Sequence, residues 1–390
     1  MPQDQVSVTT STSWFSRLGS ALKGVLAGFA LVLGAIILLG WNEGRSIQSI
    51  RSNNEGARSV VSVAPDRVQA TNEGKLVHVS APAAAMGDRQ DSQLGIAAGG
   101  LVLARHVEHF QWVETSTSET RTKLGGGQET LTTYSYKTEW SATPQDSSGF
   151  NQPQGHQNPV VALKDTVVLA DNASVGAFLV DRTALEQVSA DTSLPLGAAQ
   201  AQNVSTALSR PATAADNIIY VGTDPQAPQV GDMKISYRVI PQNTILSVIG
   251  AQSGNNLRAY PTKAGNSILM VRTGTATAAE MFNAAKAANK TMTWVLRGVG
   301  LAMAIAAFGL ILGPLGVLGD VVPLIGTIVR TGTGFVAGVL GVALALVVIA
   351  VSWIAFRPLL GIALLVVVAA LAGGAFVLSR KKAGTAQALK

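Results

Sequence analysis

The chain has 390 residues, of which 47% are hydrophobic and only 13% are charged, whereas about a quarter of an average soluble protein is charged. It contains no cysteine, which excludes a disulfide scaffold, a cysteine-ligated zinc or iron–sulfur site and a thiol enzyme. The formal net charge is +6. Together these properties argue against an ordinary soluble globular protein and favour a membrane protein.

The excess positive charge lies towards the two ends of the chain. Nine of the 29 basic residues and three of the 23 acidic residues fall outside residues 45–290, so this long central segment is neutral. The excess therefore flanks apolar segments, as do the charges that orient a protein in a bilayer, and we expect no nucleic-acid partner. The nine basic residues are Arg17, Lys23, Arg297, Arg330, Arg357, Arg380, Lys381, Lys382 and Lys390.

The N-terminal part of the chain predicts a tail followed by a membrane span. Residues 1–20 are rich in Ser, Thr and Gln, and we expect a disordered cytoplasmic tail. The uncharged apolar run from Gly24 to Trp41 is close to the ~20 residues that cross a bilayer, and it predicts transmembrane helix 1 over residues 21–42. Because no small-residue cleavage site follows, we interpret this helix as a retained signal anchor.

Residues 43–290 predict an extracytoplasmic, mainly-β domain. A polyglycine turn at Gly125–Gly127 predicts a long hairpin, and the Ala-rich stretch 175–209 is expected to contain helix. Thr277 and Glu280 have the spacing of a capping box, which predicts the start of a helix that leads into the next apolar segment. Strand-like runs cover 76–79, 101–115, 130–142, 233–239, 244–249 and 267–272.

Three further apolar segments predict transmembrane helices over residues 291–319, 334–356 and 359–379. Residues 320–333 carry Arg330 and predict a cytoplasmic or interfacial loop, and residues 380–390 form a basic cytoplasmic tail. Four spans with basic residues before the first and after the last place both tails in the cytoplasm.

The predicted fold class is therefore an α+β membrane protein with one N-terminal and three C-terminal transmembrane helices. The central β-rich domain is placed outside the cytoplasm. Arg297 lies near the end of a span, where we expect its side chain to extend towards water.

No catalytic, cofactor or metal site is predicted. His106 and His109 are the closest histidine pair, but residues three apart on a strand point to opposite faces. The chain has no HExxH, Walker or GxSxG motif.

Two sets of residues are candidates for interactions. The first is an aromatic and charged surface, for which packing of the domain's own sheet is the favoured alternative; it comprises His106, Glu108, Trp112, Glu114, Tyr134, Tyr136 and Trp140. The second is a set of glycine pairs that allow helices to approach closely, either within one chain or between copies; these are Gly24 and Gly28, Gly309 and Gly313, and Gly334 and Gly338.

A series of short motifs carries a family resemblance. Its members are 42–45 (NEGR), 72–78 (NEGKLVH), 105–108 (RHVE), 111–115 (QWVET), 134–136 (YSY), 138–140 (TEW), 155–156 (GH), 158–159 (NP), 230–232 (VGD), 262–263 (TK) with Gly265, 293–294 (TW), 296–297 (LR) and 357–359 (RPL). In this order, and at these distances from the apolar segments, the sequence resembles the transmembrane protein 43 family, also called LUMA. The resemblance extends over nearly the full length beyond the N-terminal tail.

The resemblance implies a four-span protein of the endoplasmic reticulum and inner nuclear membrane in animals, with a large lumenal domain. It also implies self-association and a scaffold role for envelope proteins that include lamins and emerin, with no enzyme activity. The Ala-rich, cysteine-free chain favours a bacterial inner-membrane protein with a periplasmic domain, for which the lamina partners do not apply.

We therefore expect a membrane scaffold that contacts membrane lipids, other copies of itself and other membrane proteins. One alternative is a channel or pore subunit, which requires a polar, water-lined path between the spans. A second is a membrane-bound enzyme acting on lipid or envelope substrates, which requires a pocket formed by His106, His156 or the Glu108/Glu114 pair.

Overall fold

The computed structural model describes residues 4–160, 163–356 and Val366. Within these residues the chain forms five α-helices: α1 Trp14–Ser59, α2 Arg182–Leu185, α3 Ala198–Leu208, α4 Ala278–Gly319 and α5 Pro323–Phe356. The first strands are β1 Asp4–Thr12, β2 Val61–Ser62, β3 Leu76–Ala84, β4 Asp88–Asp91, β5 Ile96–Gly99, β6 Val102–Thr122 and β7 Gln128–Ser141. The next are β8 Thr166–Leu169, β9 Asn172–Val175, β10 Phe178–Asp181, β11 Thr192–Ser193, β12 Ala212–Ala215, β13 Ile218–Val221 and β14 Met233–Ile240. The last are β15 Ile245–Ser253, β16 Asn256–Arg258, β17 Tyr260–Pro261, β18 Ser267–Ile268 and β19 Met270–Thr273.

The chain divides into two compact units. The sheet unit comprises residues 1–8, 52–118 and 132–284, and the helix unit comprises residues 9–51, 119–131 and the segment from Ala285 onward. The tip of the β6–β7 hairpin therefore belongs to the helix unit.

Five strands of the sheet unit close into a barrel. β3, β15, β16, β10 and β9 pair in a ring that returns to β3. Alternating β-branched side chains explain the inward face, because every second residue of a strand points the same way. Val77, Val79, Val248 and Phe178 are fully buried in the core of this barrel.

The remaining long strands form a second, eight-stranded sheet with the order β1-β7-β6-β14-β13-β12, to which β8 and β11 add at the sides. β6 and β14 are antiparallel, with Val107 opposite Ile235. Val107 and Ile235 belong to a second hydrophobic core, and the α3 helix contributes Val204 to it. The predicted strands and the hairpin at Gly125–Gly127 are confirmed.

Three of the described helices, α1, α4 and α5, are long and apolar enough to cross a membrane. They contain the predicted spans 21–42, 291–319 and 334–356. The capping box is confirmed: the Thr277 N–H donates to Glu280 at 2.8 Å, and the Glu280 N–H donates to Thr277 Oγ1 at 3.2 Å. The predicted span 359–379 and the basic tail 380–390 lie outside the described residues, apart from the helical Val366.

The predicted disordered tail is wrong for residues 4–12, which form β1 and pair with β7. Val6, Val8 and the threonines that follow are β-branched and favour strand. A polar composition alone does not reveal that residues 4–12 form a strand, because β1 forms only by pairing with β7 from another part of the sequence.

The predicted loop 320–333 is also wrong, because α5 begins at Pro323. Proline is tolerated in the first turn of a helix, where its missing N–H has no helical partner to lose. The Ala-rich stretch 175–209 is helical only in the short α2 and in α3; its first part forms β10.

Candidate functional site at the two ends of the helix bundle

Charged residues bound the apolar parts of α1 and α4 at both ends. A rise of ~1.5 Å per residue places Arg17 and Glu43 ~39 Å apart along α1, and it places Asp320, which directly follows α4, ~35 Å from Arg297. Both lengths slightly exceed the ~30 Å hydrocarbon core of a bilayer. The two charged groups therefore suit the two interfaces of one membrane.

At one end, the carboxylate of Glu43 is only 1% exposed and accepts three hydrogen bonds. Arg297 donates to both of its oxygens, with Nε at 2.6 Å and Nη2 at 2.8 Å, and Trp353 Nε1 donates at 2.5 Å. We call these three residues the Glu43 cluster. Because its members come from α1, α4 and α5, the cluster joins the three helices through a bidentate ion pair.

Arg297 was expected to extend outward from the end of its span, and this expectation is wrong. Its guanidinium lies 4.9 Å from the ring centre of Trp294 and 5.5 Å from that of Trp353. The buried Glu43 carboxylate holds it inward, since a buried carboxylate needs a cation with well-placed donors.

A polar layer continues from the Glu43 cluster. Asn42 Nδ2 donates to the Thr293 carbonyl at 3.1 Å, and Arg45 Nη1 donates to Asn289 Oδ1 at 3.1 Å. Thr293 also donates to Ser46 Oγ at 2.9 Å. Residues 42–45 of α1 thus bind residues 293–297 of α4. Neither motif alone indicates that the two segments are in contact.

At the other end, Asp320 is also only 1% exposed. It accepts hydrogen bonds from Arg330, with one contact at 2.6 Å, and from Arg17. We call Arg17, Asp320 and Arg330 the Asp320 cluster. Both residues fall in the loop predicted over residues 320–333, although an acidic residue ten positions before a basic one at the end of an apolar run is a usable signal for a pair.

The hairpin tip lies against the Asp320 cluster. Arg17 also donates to the Gly126 carbonyl, the Gly125 N–H donates to the Val321 carbonyl at 3.1 Å, and Trp14 Nε1 donates to the Val317 carbonyl at 2.8 Å. Gly126 has a φ of +79°, a conformation that glycine adopts without strain.

The predicted placement of the N-terminal tail and the central domain on opposite sides of the membrane stays a prediction. The first turn of α1 and the tip of a central hairpin meet at the same end of the bundle. Counting charges and spans does not detect this contact, because the positive-inside rule assigns each loop as a whole to one side of the membrane.

The glycine pairs fall into two groups. Gly24 and Gly28 face α4, where a Cβ atom at Gly28 would lie 2.8 Å from the Ala307 carbonyl oxygen, so this pair is used inside the chain. Gly341 has the same role between α5 and α4, where a Cβ would lie 2.8 Å from Cα of Ile305; it does not belong to the three predicted glycine pairs.

The other four glycines are open. At Gly309, Gly313, Gly334 and Gly338, a Cβ would meet no described atom within 4 Å. The first three line a cavity of about 310 Å³ between α4 and α5, which ends at the Asp320 cluster. We call this cavity the glycine groove.

In the sheet unit, part of the predicted interaction surface forms a packed aromatic cluster. The rings of Tyr136 and His156 stack at 3.9 Å, and Trp112 meets His156 edge-on at 4.7 Å. Tyr136 donates to Glu114 at 2.6 Å. Burial, together with this hydrogen bond, raises the pKa of Tyr136 to about 12.

The other predicted surface residues lie elsewhere on β6 and β7. Trp140 packs against Phe110 and receives the ammonium of Lys234 at 4.3 Å from its ring centre. Tyr134 is half-buried on β7, and Glu108 lies opposite Lys234 in the β6–β14 register. These contacts favour packing of the sheet, while the recognition role remains a prediction.

The histidines do not converge on one pocket with the acidic residues. His106 is exposed and its Nδ1 lies 2.9 Å from Asp165 Oδ2, whereas His156 and Glu114 meet at Tyr136. His109 is buried, with Nε2 at 3.1 Å from the Leu163 carbonyl, and burial lowers its pKa. Among the residues that the structure describes, no three metal-ligating side chains come together.

Comparison with known sequences identifies the family. A sequence profile described as Transmembrane protein 43 matches residues 109–358, which is more than half of the chain. The chain belongs to the transmembrane protein 43 family. The human and rat proteins named Transmembrane protein 43 are each 28% identical over 372 residues, covering 92% of this chain and 91% of theirs.

A Drosophila melanogaster relative, named Transmembrane protein 43 homolog, is 28% identical over 351 residues, covering 87% of this chain and 90% of its own. No solved structure matches the chain significantly. The resemblance inferred from short motifs is therefore confirmed as membership of the transmembrane protein 43 family, and the motifs at Asn42 and Thr293 form the contact between α1 and α4.

Proposed function

We propose that this transmembrane protein 43 family member is a membrane scaffold that self-associates and presents its β-rich sheet unit at the membrane surface. The observation that carries the proposal is the glycine groove. Its glycines offer backbone for close contact and meet no described neighbour.

Packing in a bilayer explains why such a groove suits a helix. Lipid tails are as apolar as leucine, so helices associate through close van der Waals contact, which small residues permit. Gly309, Gly313 and Gly334 would admit a helix of a second copy. Tethering in the membrane also raises the local concentration of copies, so that little binding energy is needed.

The absence of native cysteine makes a direct test possible. We would introduce Gly313→Cys and oxidise the protein in its native membrane, with Leu315→Cys as the matched control. Leu315 lies on the same helix about 200° around the axis and is exposed. We expect a covalent dimer from Gly313→Cys and much less from Leu315→Cys.

Two results would contradict self-association through the groove. One is a monomer from both variants at high protein density. The other is equal dimer from both, which would indicate collision without a defined interface.

A pore subunit is the second candidate, and the hairpin tip favours it. Residues 119–131 are polar, lie in the same unit as the apolar helices, and are held by Arg17 and Val321. A polar ribbon with free backbone groups is not stable against lipid. Several copies that turn these ribbons towards one another would create the polar path that a pore needs.

The pore is tested by ion flux through full-length protein in liposomes. We would compare Thr120→Cys in the hairpin with Thr206→Cys on α3, both at exposed positions. A charged thiol reagent should reduce flux only in the Thr120 variant. If wild-type liposomes conduct no more than empty ones, the pore is refuted.

A further inference from the structure

A second cavity, of about 290 Å³, lies beside the Glu43 cluster in the helix unit. Its walls come from α1, α4 and Trp353 of α5, and they include Ser46, Ile47, Lys286, Lys290, Trp294 and Arg297. The cavity thus combines apolar side chains with three cations, a combination that the family membership and the glycine groove do not explain.

The charges around this cavity are unbalanced. Glu43 is the one carboxylate among its lining residues, and its oxygens are already bound by Arg297 and Trp353. Lys286 and Lys290 have no acidic partner among the described residues. The cavity therefore has a net positive charge and favours an anion.

A neighbouring arginine adds to this imbalance. The Nη atoms of Arg45 bind the neutral oxygens of Asn289, Asn42 and Thr293, and its Nε is buried without a hydrogen-bond partner. Asn289 and Thr293 line the cavity. The positive potential of Arg45 thus reaches the cavity without being neutralised by a described carboxylate.

The tryptophans set the depth of the cavity. Trp41 is 58% exposed and Trp294 is 61% exposed, and such rings prefer the headgroup level of a bilayer. Lys290 and Lys286 lie one and two turns beyond Trp294, which places them ~6 Å and ~12 Å further from the apolar segment along α4. Their ammonium groups therefore suit the level of lipid phosphates.

We propose that this cavity binds the phosphate of an anionic phospholipid headgroup. Lys286 and Lys290 would contact the phosphate oxygens, and Ile47 and Trp294 would contact the glycerol and the first part of the acyl chains. The occupant is a lipid because the cavity joins a basic wall to an apolar one at the membrane interface, where basic pockets between helices recognise headgroups.

The test measures retained lipid on the full-length protein. Purified protein in phosphatidylcholine nanodiscs would be titrated with phosphatidylglycerol, and bound phosphatidylglycerol counted by native mass spectrometry. The variant Lys286→Gln/Lys290→Gln removes both ammonium groups. At ~1 kcal/mol per basic residue near a lipid surface, we expect an affinity about 30-fold lower.

Two control variants make the result specific. Lys75→Gln/Lys263→Gln removes the same charge at exposed positions of the sheet unit and should keep wild-type affinity. Lys286→Arg/Lys290→Arg keeps the charge and should bind within a few-fold of wild type, which separates lost recognition from misfolding.

Each remaining outcome overturns the proposal. Unchanged affinity in the Lys286/Lys290 glutamine variant removes the site, and an equal loss in the Lys75/Lys263 variant indicates charge attraction without a pocket. If inorganic phosphate in excess displaces all bound phosphatidylglycerol, the ligand is a free anion and not a lipid. None of these results depends on dimer formation, so this site and the glycine groove are tested separately.

Discussion

The two ends of the helix bundle each bury one carboxylate, but they stabilise it differently. Glu43 is held by one bidentate arginine and one indole, all from the three apolar helices. Asp320 is held by two arginines, and one of these also binds the hairpin tip. Arg297 is 16% exposed in its side chain, whereas Arg330 is 54% exposed.

This difference indicates how strongly each cluster depends on a single arginine. The Glu43 cluster has a single, largely buried cation, so its ion pair is an all-or-none link between helices. The Asp320 cluster shares its carboxylate between a buried and an exposed cation, so it tolerates a partial loss. A buried acid with one partner is costly to leave alone, because its desolvation is no longer offset.

The largest effect is expected from Arg297→Leu, which leaves Glu43 buried with only Trp353. We expect the free energy of unfolding to fall by about 3–5 kcal/mol. Titration with denaturing detergent, followed by circular dichroism, measures this loss. The double variant Glu43→Gln/Arg297→Leu should recover part of it, and a loss that does not recover would contradict the assigned pair.

A smaller effect is expected at the other end, where two arginines can be compared directly. Arg17 is 10% exposed in its side chain, so Arg17→Leu should cost about 2 kcal/mol through lost charged hydrogen bonds. Arg330→Leu should cost less than about 1 kcal/mol, since water already solvates that side chain.

Hydrogen exchange at Gly125 and Gly126 gives a second measurement for these variants. Exchange should rise in the Arg17 variant alone. If both variants lose the same free energy of unfolding, the proposed difference between the buried Arg17 and the exposed Arg330 is contradicted.

The packed and the open glycines, which lie between the two ends of the bundle, should also differ in how substitution changes stability. Gly28→Ala places a Cβ against the Ala307 carbonyl and should destabilise the bundle by about 1–2 kcal/mol through overpacking. Gly309→Ala places a Cβ where no atom of the described residues lies within 4 Å, and it should leave monomer stability equal or higher, since alanine favours helix.

Detergent-induced unfolding and dimer yield, measured on the same variants, show whether the glycine groove is filled within the chain or by another copy. If Gly309→Ala lowers both equally, the groove is filled within the chain and not by another copy.

The smallest effect concerns two buried histidines of the sheet unit, His78 and His109, whose ring nitrogens lie 2.8 Å and 3.1 Å from the backbone carbonyls of Ala276 and Leu163. Burial lowers the pKa of His78 and His109 from the usual 6.5. The unfolded chain therefore takes up protons first as the pH falls. The full stabilisation by these neutral histidines is present above pH ~6.5 and is lost as the pH drops towards the folded pKa.

Thermal unfolding of the full chain at neutral and mildly acidic pH tests this direction. His109→Gln should reduce the pH dependence of the unfolding temperature, because it removes one of the two buried histidines with a lowered pKa. A pH dependence that is unchanged in the His109 variant would contradict the effect.

Much of the fold could be predicted because it depends on local pattern. Strand-like runs predicted β6, β7 and β14, and the spacing of Thr277 and Glu280 predicted the start of α4. The loop assigned to residues 320–333 failed for a definite reason: an arginine inside an apolar helix is tolerated when a carboxylate lies within reach, and Arg330 has Asp320.

The candidate site was less predictable than the fold. Gly24, Gly28, Gly309 and Gly313 share one motif, yet the first pair is packed and the second meets no atom of the described residues. The motif states only that a close approach is possible. Which glycines are used depends on how the helices are turned about their axes.

The amino-acid sequence by itself determined the apolar helices, the long strands and the family, because hydrophobic period, turn residues and short motifs act over a few residues. Only the tertiary structure decided that Glu43 pairs with Arg297, that β1 joins β7 and that five strands close into a barrel. Those contacts join residues far apart in the chain. Their formation depends on the packing of whole elements, which no local pattern records.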